Sequence, residues 1–195
     1  MSYAEKFLKA KGQDCIINRP EPFLTKVSIK RSTKAIRDLG AREGYWEGLM
    51  LANANLQSGE ILIIGNNKYL VQSVNFDPAS GECAFFAAKC NAVLQHLRLY
   101  DTDINEYNEV IKEWLPVNPD TPFIDAYGEI ITYRMRQEDL GLLDSTKYTF
   151  QVPKHLGIKF LDRLIYNDNH YQVVSIDEIG LSGVVRVQAA VDTRP

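Results

Sequence analysis

The sequence predicts a mainly-β protein: two tandem small antiparallel β-barrels, a short N-terminal helix and a helix linking the barrels. Three observations predict it. First, the second half of the chain repeats the first. At a shift of 102 positions Ser58–Asn91 falls on Phe160–Thr193 without a gap, and ten of the 34 pairs are identical. Leu62/Leu164, Asn67/Asn169, Tyr69/Tyr171, Val71/Val173 and Gly81/Gly183 are among them. A duplicated supersecondary unit sets the domain organisation before any single residue is interpreted. Second, the repeated residues are apolar side chains and turn formers, which a small sheet needs to close a core and bend its chain. Third, the apolar residues fall in short runs bounded by Gly, Asn and Asp.

In chain order, Ser2–Lys11 reads as a helix. Ser2 and Glu5 have capping-box spacing, Gly12 is a stop, and Tyr3, Phe7 and Leu8 share a face. Cys15–Ile17 is a first strand. From Leu24 to Arg31, Thr25, Val27 and Ile29 alternate with Lys26, Ser28 and Lys30, the pattern of a half-buried strand. Ser32–Gly44 is a long connection and Tyr45–Leu51 a strand. The repeated unit then gives strands at Glu60–Ile64, Lys68–Val74, Glu82–Lys89 and Ala92–Leu99. Their counterparts are Arg163–Tyr166, Tyr171–Ile176 and Val184–Val191. Turns are expected at Gly65-Asn66-Asn67, at 77–81, at Asn167-Asp168-Asn169 and at 180–183. Tyr69 and Tyr171 are placed to cover the open end of each barrel. Between the copies Ile104, Tyr107, Ile111 and Trp114 recur at helical spacing, so Asp101–Leu115 reads as an amphipathic helix ended by Pro116. The expected units are 1–100 (helix and first barrel), 101–122 (helical linker) and 123–195 (second barrel).

Composition is ordinary for a globular chain, with 45% hydrophobic and 24% charged residues. The net charge of −3 argues against a surface devoted to nucleic acid. Cys15, Cys83 and Cys90 show no CxxC spacing and read as small buried side chains in a reducing compartment. The first residues carry no apolar segment of signal-peptide type, so a cytosolic chain without a membrane partner is expected. Asp101, Asp103 and Asn105 imitate a calcium loop, but Glu106 and Lys112 stand where glycine and a bidentate Glu are required. His96, His155 and His170 have no metal-ligand spacing, and His170 reads as an exposed polar position. Neither a P-loop nor a nucleophile elbow occurs. No enzyme, catalytic residue, metal or cofactor is expected.

One charge cluster departs from the average. Lys26, Lys30, Arg31, Lys34, Arg37 and Arg42 fall within 17 residues that hold a single acid, Asp38. The cluster suits either a lysine-guarded strand edge or a loop facing DNA phosphates or an acidic partner. The matching part of the second copy, with Arg134, Arg136, Glu138 and Asp139, is nearly neutral. Glu106, Glu109, Glu113, Asp120 and Asp125 make the middle of the chain acidic. In a ring, the basic segment of one subunit would meet the acidic segment of the next.

The stretch Leu56–Val74 carries Gly59-Glu60-x-Leu62 and Tyr69-x-Val71, and the second copy carries Asp162-x-Leu164 and Tyr171-x-Val173. These motifs resemble those of the head-closure (stopper) and head–tail joining β-barrel proteins of tailed-phage necks. Leu161 replaces the glycine of that pattern, and the barrel occurs twice where such proteins usually carry one. The resemblance covers about two thirds of the chain. It implies a virion protein assembled in the host cytoplasm. Such a protein forms a homo-oligomeric ring around the DNA channel and joins other neck, portal-side and tail proteins. It also implies non-specific contact with packaged DNA, with Ser32–Gly44 the segment chosen for contacts inside the ring. The competing expectations are another phage tail component built by the same duplication, and a nucleic-acid-binding pair of OB-like barrels with Tyr45 and Trp46 beside the basic segment as stacking residues.

Overall fold

The computed structural model describes residues 3–32, 44–104, 106–139 and 141–194. Helix α1 (Tyr3–Lys11) ends at Gly12, whose amide donates to the Leu8 carbonyl at 2.8 Å. A Cβ at Gly12 would lie 2.4 Å from that oxygen, so the stop requires glycine. Leu8 is buried against the first barrel, and the helix rests on its second and third strands.

Six strands close the first barrel: β1 (Gln13–Asn18), β2 (Phe23–Arg31), β3 (Tyr45–Leu51), β4 (Ile61–Ile64), β5 (Asn67–Asp77) and β6 (Glu82–Lys89). Their order is β1-β2-β3-β6-β5-β4, and β4 pairs back onto β1 with Ile17 opposite Leu62. The next strands are β7 (Ala92–Ile104), β8 (Val110–Pro116), β9 (Phe123–Ile130), β10 (Thr146–Pro153), β11 (Arg163–Tyr166), β12 (Asn169–Asp177) and β13 (Val184–Val191). Here β7-β9-β10-β13-β12-β11 closes a second barrel through Leu164 opposite His96. The two orders match strand for strand. The extra strand is β8, which pairs with the outer half of β7 beyond the barrel wall.

The duplication extends to irregular features. A 3-10 turn follows β3 at Ala52–Ala54 and β10 at Lys154–Leu156, each ended by a left-handed residue, Asn55 (φ 46°) and Gly157 (φ 61°). Register slips occur at Val71/Ser73 and at Val173/Ser175. Tyr69 lies opposite Leu62 and meets Trp46 edge-on at 5.6 Å; Tyr171 lies opposite Leu164 and meets Tyr148 edge-on at 5.2 Å. Both tyrosines are buried. The two interiors are nevertheless filled differently. In the first, the Phe85 ring of β6 lies over Gly48 of β3; in the second, the Phe150 ring of β10 lies over Gly128 of β9. One large ring facing one glycine conserves volume while changing which strand supplies each.

Two expectations are corrected. Asp101–Leu115 is not a helix but the outer part of the β7–β8 hairpin. Its spacing suits a helix, but Thr102, Ile104, Val110, Ile111 and Trp114 are β-branched or aromatic, and Asn108 takes a left-handed turn conformation (φ 63°). The second short helix is instead α2 (Tyr133–Glu138), between β9 and β10, with Thr132 accepting from the Met135 amide at 3.4 Å. The unit boundary also moves: β7 belongs to the second barrel, which begins at Ala92 and not at 123.

The barrels meet along a tight joint. A Cβ on Gly59 (φ 88°) would lie 2.1 Å from the Gly183 carbonyl oxygen, and one on Gly183 would lie 1.9 Å from the Ser58 carbonyl oxygen. Ser58 Oγ donates to the Gln72 carbonyl at 2.7 Å and accepts from the Gly183 amide at 3.1 Å. Ile61 and Leu70 pack with Val184 on one side, and Tyr45 packs with Tyr127 at 5.2 Å on the other. Lys68 reaches Asp125 at 2.8 Å, and Gln72 donates to Gln151.

Candidate functional site

The residues that recur with polar chemistry form an anchor in each barrel. Arg19 follows β1 and donates to both carboxylate oxygens of Glu60 and, at 2.7 Å, to the Asn55 carbonyl. In the second barrel Arg98 donates to both oxygens of Asp162, at 2.8 and 2.7 Å, and to the Gly157 carbonyl at 2.8 Å. The Gln57 amide donates to Glu60 and the Lys159 amide to Asp162. Each anchor therefore ties the first strand of its barrel, at the end of β1 or midway along β7, to the residues after the 3-10 turn and to the start of the barrel's β4 or β11. The Glu60/Asp162 position is thus a structural fastener in both copies.

The second anchor has one addition. His96 takes the place of Ile17 on the inner face and sets Nε2 2.6 Å from Asp162 Oδ2, while its buried Nδ1 has no partner among the described residues. Burial pushes the Asp162 carboxyl up, but hydrogen bonds from Arg98, His96 and the Lys159 amide outweigh it and hold the group at about 2. Because Asp162 is ionised, Nε2 carries the hydrogen. The site positions backbone.

The second feature is the β7–β8 arm. Beyond Leu97 it is a two-stranded ribbon whose outer edges pair with no other strand among the described residues. Its base is held where Trp114 meets Arg163 at 3.9 Å and Arg194 at 4.8 Å. Both arginines also bind Asp192, at 2.8 Å. Burial raises the Asp192 carboxyl, but the bonds from Arg194 and Arg163 hold it well below the usual carboxylate range. Outward of Trp114 the arm exposes Leu99, Tyr100, Ile104 (62%), Val110 (50%) and Ile111. Between Leu99 and Leu115 it carries five acids and a single base, Lys112.

The third feature is the basic segment. Lys26 lies on the outer face of β2 and pairs with Asp14 at 2.8 Å. Lys30 pairs with Glu47 at 3.5 Å, and Arg31 is exposed at the end of β2. Lys34, Arg37 and Arg42 lie outside the described residues. Beside Lys30 runs a shallow groove of about 600 Å³ across β2, β3, β6 and β5, lined by Leu49, Val74, Phe85 and Phe86 among others. Tyr45 and Trp46 do not form a stacking platform there. Tyr45 is buried at the barrel joint and Trp46 packs against the first core. Of the acids assigned to an intersubunit surface, Asp125 is used inside the chain by Lys68.

Cys15 and Cys83 are buried and Cys90 is half-buried, all as free thiols; burial pushes Cys15 and Cys90 up to about 12. His170 is exposed, at the rim of a small polar pocket of about 300 Å³ with Lys147 and Asp168. Among the described residues no three His, Cys, Asp or Glu side chains converge as a metal site, and no helix is long and apolar enough to cross a membrane.

Sequence reasoning missed both anchors and the arm. Glu60 and Asp162 align at the 102-residue shift, but Arg19 and Arg98 do not, because the arm is inserted between β7 and β9. The missing signal is a second, shorter shift that brings the first strands of the two copies together. The fold and these surfaces define a tandem β-barrel protein with one projecting arm. No protein-family model matches the chain, and no curated protein gives a significant match.

Proposed function

We propose that this chain is a structural component of a tailed-phage virion, a ring-forming neck protein that joins head to tail around the DNA channel. The observation that carries the reading is the arm. It is an addition to one copy of a duplicated barrel, it contributes nothing to barrel closure, and it carries exposed apolar and acidic groups suited to a protein partner. Gly59-Glu60-x-Leu62 with Tyr69-x-Val71, and Asp162-x-Leu164 with Tyr171-x-Val173, support the phage-neck part, since in both barrels the acid builds the same fastener and the tyrosine is buried opposite the same leucine. The joint supports a scaffold role, because it makes the two barrels one stiff block. The chain acts by assembly, without catalysis or a cofactor, and its basic segment faces the channel DNA or the next subunit.

The test is the mass of the purified chain, alone and with single-stranded DNA, followed by imaging of any assembly. Closed rings, or assembly only on other neck components, support the reading. A monomer that binds single-stranded DNA tightly, and loses it with salt, overturns it in favour of an OB-like binding module.

A further inference from the structure

One corner recurs in both barrels with the same backbone frame and different contents. In the first barrel Lys68 lies opposite Ile63, and its carbonyl accepts from the Cys90 amide at 2.9 Å. In the second His170 lies opposite Ile165, and its carbonyl accepts from the Asp192 amide at 3.0 Å. The first corner holds a carboxylate. Lys68 Nζ donates to both oxygens of Asp125, at 2.9 and 2.8 Å, while Tyr45 meets Tyr127, two residues further along the same strand, at 5.2 Å. The second corner is a pocket of about 300 Å³, lined by Lys147, Asp168, His170, Tyr171 and Asp192 among others. Lys147 stands at the 102-residue shift from Tyr45, where β10 slips register between Thr146 and Tyr148. A bulge of this kind re-aims a side chain. The Lys147 ammonium lies 5.8 Å from the Tyr148 and Tyr171 ring centres and pairs with no carboxylate among the described residues. Asp192 does not compete for it, because Arg163 and Arg194 already bind that carboxylate. The Asp168 carboxylate in the lining disfavours a multiply charged anion. The volume is at the small end for a ligand site. We infer that this pocket binds a single carboxylate, held by the Lys147 ammonium and the His170 ring N–H as Lys68 holds Asp125. The carboxylate belongs to a small free acid or to an Asp or Glu side chain of another protein. The site stands whether or not the chain forms a ring.

The test follows the backbone amides of the isotope-labelled full chain by NMR during titration with three probes. Succinate stands for a free acid, N-acetyl-aspartate methylamide for a side chain within a protein, and inorganic phosphate for a multiply charged anion. Saturable shifts are expected at the amides of Lys147, Asn169 and His170, with weak affinity on the order of millimolar. Lys147 is exposed, so Lys147→Gln leaves the fold intact and is expected to weaken binding about tenfold. His170→Lys copies the first corner and is expected to tighten it, a gain that a merely structural role would not produce. Blocked aspartate binding as well as succinate identifies a protein side chain as the source. Succinate binding at least about tenfold tighter identifies a free acid, since its second carboxylate then contributes. Either result supports the site. The inference is overturned if neither carboxylate shifts these amides, if phosphate binds as tightly as the carboxylates, or if Lys147→Gln leaves the affinity unchanged.

Discussion

Single residues with the same place in the repeat do different work here, and this is measurable. Gly81 and Gly183 align. Gly81 turns the chain at φ 69° with nothing within 4 Å of a built Cβ, whereas Gly183 touches the Ser58 backbone. Gly81→Ala should cost about 1 kcal/mol, the usual left-handed penalty. Gly183→Ala must push the barrels apart and should cost about 3 kcal/mol. Urea midpoints of the two variants give the comparison, and equal costs would contradict the joint. Asp162 and Glu60 differ in the same way. Asp162 is buried beneath His96 and Arg98, so Asp162→Asn should destabilise by about 3 kcal/mol, and Glu60→Gln by about 1. The sign of the pH effect follows from the direction of the shift. The folded carboxyl, at about 2, lies below the unfolded value of about 3.9, so its stabilisation is complete above pH ~4 and is lost as pH falls toward 2. Unfolding free energies measured from pH 5 to 2 should fall by about 2 kcal/mol from this group, and Asp162→Asn should remove that part of the slope.

At the scale of elements, strands with one face in a barrel are legible and the arm is not. Lys26, Ser28 and Lys30 alternate with Val27 and Ile29, and the structure puts Val27 and Ile29 inward. Burial imposes that alternation, so sequence retains it. The arm has no buried face outward of Trp114. Its apolar residues fall where a helix would also want them, and only the β-branched content and Asn108 point to a hairpin. The ion pairs were illegible for another reason: Lys26–Asp14 and Lys30–Glu47 join different strands and Arg98–Asp162 joins β7 to the residue before β11, so their spacing depends on register. The arm's hold at its base is testable on its own. Trp114→Ala removes the ring between Arg163 and Arg194 but leaves both bound to Asp192. Amides of β8 should then exchange about tenfold faster, while those of β12 and β13 keep their protection. Unchanged exchange in β8 would show that the arm is held elsewhere.

At the scale of the whole molecule, the joint couples the barrels. Tyr45 with Tyr127, Lys68 with Asp125 and the Gly59–Gly183 approach all cross it. Neither barrel can unfold without exposing the other's face, so heating should give one transition with equal calorimetric and van't Hoff enthalpies. Two resolved transitions would contradict this coupling. The duplication itself was legible because both cores must close in the same way. The tilt of one barrel on the other was not, since it depends on two glycines far apart in sequence. Those glycines occupy unequal places in the two copies, so the internal seam is of a head-to-tail kind that would, if repeated, propagate without end. The second copy carries Phe160-Leu161 where the first carries Ser58-Gly59, and both bulky side chains stand exposed. A further barrel would meet hydrocarbon where this joint has bare backbone, so the second copy does not offer the surface by which the first is gripped.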